Sequence, residues 1–105
     1  MNRSSLYPEQ LLHRRAMSWS LRLQVNPSKV VVERLNGKWG SCDPDGVVTF
    51  AEDLANSDEA FQDFVIVHEL LHLRYKSHNK WFQAAMTAYV PNWRELQSQT
   101  EHRIV

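Results

Sequence analysis

The chain has 105 residues, 43% apolar and 23% charged, with 12 basic against 12 acidic side chains and a formal net charge of zero. That length makes one domain with one modest core, and the charge balance gives no electrostatic footprint for nucleic acid or an anionic membrane. Cys42 is the single cysteine, which excludes an internal disulfide and makes the cytoplasm the expected location. No run approaches the ~20 apolar residues that span a bilayer. The opening Met1-Asn2-Arg3-Ser4-Ser5 leads into polar sequence rather than an apolar signal core. Residues 1–105 therefore read as one domain without repeat or linker, and nothing in them speaks to oligomeric state.

A first helix is expected from Pro8, a residue suited to the first helical position, to about Val25. Leu12, Ala16, Trp19 and Leu23 recur at helical spacing along it. Arg14, Arg15 and Arg22 then face solvent or carboxylates, and Asn26-Pro27-Ser28 stops the helix. Lys29–Leu35 is β-branched and bounded by turn residues, so it reads as a strand. Asn36-Gly37 signals a tight turn, and Lys38–Cys42 a second short strand. Asp43-Pro44-Asp45-Gly46 is a turn and Val47–Phe50 a third strand. The simplest arrangement is a three-stranded antiparallel meander with an open edge, to which an extended peptide could add.

Asn56 can cap a second helix, with Glu59 completing a capping box. This helix runs through Phe61, Phe64 and Val65 to about Arg74. Ser77 can cap a third, from His78 to Val90, with Trp81, Phe82, Ala85, Met86 and Tyr89 on its inner face. Pro91 ends it. Asn92-Trp93-Arg94-Glu95 starts a final short helix, and the last residues are expected to fray. The fold class is α+β, with an N-terminal helix, a small sheet, a buried central helix and C-terminal helices.

The most informative stretch is Phe64–Leu73, in which only His68, Glu69 and His72 are not apolar. A helix apolar on every side is a buried helix, and buried polar groups cost on the order of 2–7 kcal/mol unless partnered. A metal ion answers that cost. Positions i and i+4 share a helix face, so His68 and His72 can present both imidazoles to one ion. Glu69 can reach a water bound to it. His-Glu-x-x-His is a zinc arrangement in which the glutamate is the general base. A catalytic zinc usually keeps three protein ligands and an open position. His78 is the first candidate for the third, with Glu95, Asp63 and Cys42 as alternatives. His13 and His102 lie far from the motif and read as surface residues. The spacing is also that of metzincin peptidases, but Tyr75 stands where they carry glycine, and no Met-turn segment follows.

Lys38-Trp39-Gly40-Ser41-Cys42, then Val65–Leu73, then Ser77-His78-Asn79-Lys80-Trp81-Phe82, and finally Val90-Pro91-Asn92-Trp93-Arg94-Glu95 follow one another over residues 33–96. In this order the segments resemble the YgjP-like zinc metallopeptidase domain, which is similar in pattern to the SprT and WLM peptidases. The resemblance implies a minimal zincin-like domain in which His68, His72 and His78 bind zinc and Glu69 is catalytic. The Trp-Gly-Ser-Cys segment carries over as structural. By the same resemblance, family members commonly have a further N-terminal region of mostly β structure, which residues 1–105 are not expected to contain.

The implied reaction is hydrolysis of a peptide bond in an extended polypeptide, by a zinc-bound water that Glu69 deprotonates. Tyr75, Tyr89, Asn92 and Arg94 are candidate oxyanion donors. Asp53, Asp58 and Asp63 are candidate acceptors for the second nitrogens of the histidines. Two other functions stay open: metal-dependent hydrolysis of another bond, such as a nucleotide phosphoanhydride, and a non-catalytic zinc-containing interaction module.

Overall fold

The structure is a computed structural model that describes residues 6–105, so the polar opening stretch lies outside the described residues. Helix α1 (Pro8–Leu23) buries Leu12, Ala16, Trp19 and Leu23, the stripe expected from the spacing. It ends earlier than expected because Gln24 turns left-handed (φ 56°) and its N–H bonds back to the carbonyls of Ser20 and Leu21. Strands β1 (Lys29–Glu33), β2 (Gly40–Cys42) and β3 (Val47–Ala51) follow, then a 3₁₀ turn at Glu52–Asn56. Helix α2 (Glu59–Leu71), α3 (Lys80–Tyr89) and the short α4 (Trp93–Gln97) complete the chain. The domain is α+β, with α1 packed on α2 and β1, and α3 and α4 packed on α2.

The sheet is mixed rather than an antiparallel meander. Its order is β1-β3-β2, with β1 parallel to β3 and β2 antiparallel to it. The reason is burial. Val48, Phe50 and Ala51 are fully buried, so β3 takes the centre, where both of its edges are paired. Asn36-Gly37 consequently does not close a hairpin. Gly37 is left-handed (φ 72°), and the loop around it carries the chain to the far edge of β3. The turn at Asp43–Gly46 is as expected: Asp43 Oδ1 accepts from the N–H groups of Asp45 and Val47 at 2.9 and 3.0 Å.

Helix α2 is the spine of the core. Phe64, Val65, Ile66, Val67 and Leu70 are fully buried, with Phe61 and Leu71 nearly so, and each such side chain contributes about 1.5–3 kcal/mol. Asp58, not Asn56, precedes its first turn, because Asn56 is used by the 3₁₀ turn. Gln62 ties that turn to the helix by donating to the carbonyls of Ala55 and Ser57. In α3 the cap is Asn79 rather than Ser77, and its Oδ1 accepts from the N–H groups of Trp81 and Phe82 at 3.0 Å each. This start turns Phe82 and Met86 inward and leaves Trp81 61% exposed, outside the inner face expected for it.

The C-terminal residues do not fray. Ile104 pairs with Lys38 in a parallel bridge, and Arg103 holds Asp53 with both terminal nitrogens at 2.7 and 2.9 Å.

Candidate active site

Helix α2 ends at Leu71, a turn earlier than the sequence suggests, and this shapes the site. His68 and Glu69 stay inside the last helical turns, 3% and 2% exposed. His72 is the C-cap residue, half-buried at the mouth of the loop that leads to the exposed His78. The three histidines meet: one nitrogen from each ring lies within 4.8 Å of the other two. Among the described residues no other set of three His, Cys, Asp or Glu side chains does so. Glu95, Asp63 and Cys42 stand outside the cluster. His13 and His102 are exposed.

Phe82, at 1% exposure, is the post on which the cluster leans. Its ring centroid is 5.1 Å from His68, 4.9 Å from His72, which stacks on it, and 4.9 Å from His78. Its position within the Ser77–Phe82 segment and its apolar bulk were the available signals; the contact with all three imidazoles was not legible.

The ring nitrogens support a metal at this place. His72 Nδ1 lies 3.0 Å from the Tyr75 carbonyl, which only accepts, so Nδ1 carries the proton and Nε2 keeps its lone pair. That Nε2 faces His78 Nε2 at 3.1 Å, close to the about 3.4 Å between two ligands of one tetrahedral zinc with bonds of about 2.0–2.1 Å. His68 Nδ1 and Glu69 Oε2 are buried without a hydrogen-bond partner, a condition that costs about 1–3 kcal/mol per group. They are 3.5 Å apart. Burial, then the neighbouring His68 and His72, hold the His78 pKa below its usual 6.5, which favours the neutral, ligating form.

The acceptor beside His72 is therefore a backbone carbonyl rather than one of the aspartates. Asp63 is engaged by Arg15 and by the Trp19 indole, Asp53 by Arg103, and Asp58 precedes α2. Of the candidate oxyanion donors, Arg94 bonds Gln83 and lies over Trp93, while Tyr89 meets Trp19 edge-on.

A cavity of about 460 Å³ opens beside Glu69 and His72, walled by β2, Leu73, Lys76 and the Ile104-Val105 pair. Here the Trp-Gly-Ser-Cys segment gains its reason. A methyl group on Gly40 would stand 2.9 Å from Glu69 Cγ and 3.2 Å from the Thr49 carbonyl, so only glycine lets the strand and the glutamate approach this closely. Cys42 lines the same cavity, its thiol pushed up to about 11 by burial, then by Glu69 and Asp43.

Against this geometry, the family model described as the YgjP-like metallopeptidase domain matches residues 7–103. The chain belongs to that family. No curated protein matches it. Among the solved structures that share the fold are two metallopeptidase zymogens. The metallopeptidase zymogen jannalysin of Methanocaldococcus jannaschii aligns with a TM-score of 0.74 at 18% identity, over 84% of this chain and 91% of that one. The zymogen abylysin of Pyrococcus abyssi aligns with a TM-score of 0.67 at 17% identity, over 94% of this chain and 100% of that one. This YgjP-like domain therefore combines a metallopeptidase fold with a three-histidine cluster able to hold a metal ion.

Proposed function

We propose that this YgjP-like domain is a zinc-dependent peptidase that hydrolyses peptide bonds in extended polypeptides. His68, His72 and His78 would hold the ion and Glu69 would act as general base. The observation that carries the reading is the convergence of three imidazoles beside a buried carboxylate with one unpartnered oxygen. A zinc ion held there supplies the Lewis acidity that makes water nucleophilic near neutral pH. Glu69, lining the cavity, takes the proton of the attacking water and returns it to the leaving amine. His72 keeps its orientation through the Tyr75 carbonyl. Strand β2 pairs on one side with β3 and its residues Gly40, Ser41 and Cys42 line the cavity, where an extended chain can add its backbone. The single, free cysteine agrees with a reducing compartment such as the cytoplasm. Among the described residues no helix is long and apolar enough to cross a membrane.

The test is cleavage of labelled β-casein by the zinc-loaded chain. Glu69→Gln is expected to slow it by about 10²–10⁴-fold while zinc content, read by elemental analysis, stays the same. Undiminished cleavage by Glu69→Gln would overturn the assignment of the base. Phosphate release from nucleoside triphosphates, with no peptide cleaved, would overturn the peptidase.

A further inference from the structure

We propose that the cavity beside Glu69 selects its substrates by a carboxylate close to the scissile bond, received by Lys38 and Lys76. This rests on the peptidase reading and names the substrate class of the same site. The two lysines enter the cavity from different elements. Lys38 leads into β2, and Lys38, Gly40 and Cys42 all line the cavity at the two-residue period of one strand face. Gly40 abuts the Glu69 side chain, and Lys38 lies about 6.6 Å along the chain from that glycine. Lys76 comes from the loop after α2, directly following Tyr75, whose carbonyl holds His72. One ammonium therefore approaches from beside the base and the other from beside a metal ligand.

Neither ammonium is used by the fold. Among the described residues the ion pairs are those of Arg15, His68 and Arg103, and no lysine takes part in one. Both lysines are exposed, so their charged ends stay hydrated on flexible stems and can turn toward a ligand. The acidic groups of the cavity are already committed. Glu69 is the base, and Asp43 Oδ1 accepts from the N–H groups of Asp45 and Val47 in its own turn.

Leu73 and Pro44 add apolar surface to the same walls, which strengthens a charge pair formed against them. A solvent-accessible pair of this kind contributes about 1.5-fold to fivefold in affinity for each lysine. A basic side chain in the same place meets two like charges, so the cavity discriminates by repulsion as well as attraction. The carboxylate has two sources, an acidic side chain or the C-terminal end of a peptide. Both offer the ammonium groups the same charged acceptor.

The experiment measures binding of fluorescein-labelled peptides to the zinc-loaded chain carrying Glu69→Gln, and cleavage of the same peptides by the parental chain. The set is one extended sequence with glutamate, glutamine or lysine at each position in turn, its C-terminus free or amidated. At one position the glutamate form, or at the terminus the free acid, should bind about tenfold tighter than its amide, from both lysines together. An internal position assigns the carboxylate to a side chain, and a gap removed by amidation assigns it to the terminus. The gap should be open in about 20 mM salt and close in about 500 mM. Lys38→Ala and Lys76→Ala should each narrow it severalfold, and Lys76→Glu should turn the preference toward the lysine peptide. Lys29→Ala, which removes the same charge at the start of β1 and outside the cavity, should leave the gap as it is. Equal binding of acid, amide and lysine forms would overturn the proposal, as would a gap that survives loss of both lysines or no peptide binding at all. ATP binding that depends on the two lysines, with no preference among peptides, would replace the carboxylate by a phosphate. A lysine-dependent gap without cleavage by the parental chain would keep the carboxylate site and reject the peptidase. Cleavage without a gap would do the reverse.

Discussion

His68 and Glu69 lie inside the core helix, while His72 closes that helix half-buried and His78 stands exposed before the next one. The inner pair is set by packing: Phe64, Val65, Leu70 and Leu71 surround it on the same helix, and Gly40 admits the glutamate from the sheet side. The outer pair is set by polar and local contacts, namely the Tyr75 carbonyl at His72, the Gln83 side chain at the His78 carbonyl, and the Asn79 cap that starts α3. Phe82 touches both halves. An active site divided in this way has a rigid base and an outer ligand that a loop delivers, so its two halves should respond differently to substitution.

The largest effect belongs to the inner half. Phe64→Ala removes a fully buried ring 5.9 Å from His68 and should cost about 3–5 kcal/mol of stability in urea unfolding of the metal-free chain. An equal loss from exposed Trp81→Ala would break the comparison. Next comes the ion. Zinc at about 100 times its dissociation constant should raise unfolding free energy by about 2.7 kcal/mol. His78→Ala should abolish most of that rise while changing metal-free stability by no more than about 0.5 kcal/mol, as surface substitutions do. Gly40→Ala forces the strand away from Glu69 and the Thr49 carbonyl. It should lose about 1–3 kcal/mol by overpacking and slow casein cleavage, read as a lower thermal midpoint and a lower kcat.

The smallest effect lies farthest from the core, at the solvent-screened Asp53–Arg103 pair. The Arg103 guanidinium holds the Asp53 carboxyl below its usual 3.8. A depressed carboxylate contributes stability that is fully present above that usual value and is lost as pH falls through the lower folded value. The gap in unfolding midpoint between parent and Asp53→Asn should therefore be open at pH 6 and close as the pH falls below 3.8 and through the lower folded value. A gap that persisted in acid would assign it to packing instead.

The apolar period of α1, the wholly apolar setting of His68 and His72, and the turn at Asp43–Gly46 were legible because each is decided within a few residues. The bringing together of His78 with the other two followed from spacing and from the family resemblance. The strand order was not legible. Asn36-Gly37 carries the local chemistry of a hairpin, but the centre of the sheet belongs to whichever strand buries most, and that is settled by α1 packing against β1 and α2 against β2 and β3. The C-terminal residues read as fraying because nothing near them in sequence holds them. Their partners, Gly37, Lys38, Trp39 and Asp53, lie about 50 or more positions upstream.

By itself the sequence determined the elements and the chemistry on offer: which helix is buried, and which imidazoles and carboxylate it carries. Periodicity and side-chain type are local properties, so they can be read residue by residue. Only the tertiary structure decided the sheet order, the close approach of Gly40 to Glu69, the Phe82 post beneath the three rings and the docking of Ile104 along Lys38. These depend on which distant surfaces exclude water together, and that is a property of the whole packed chain.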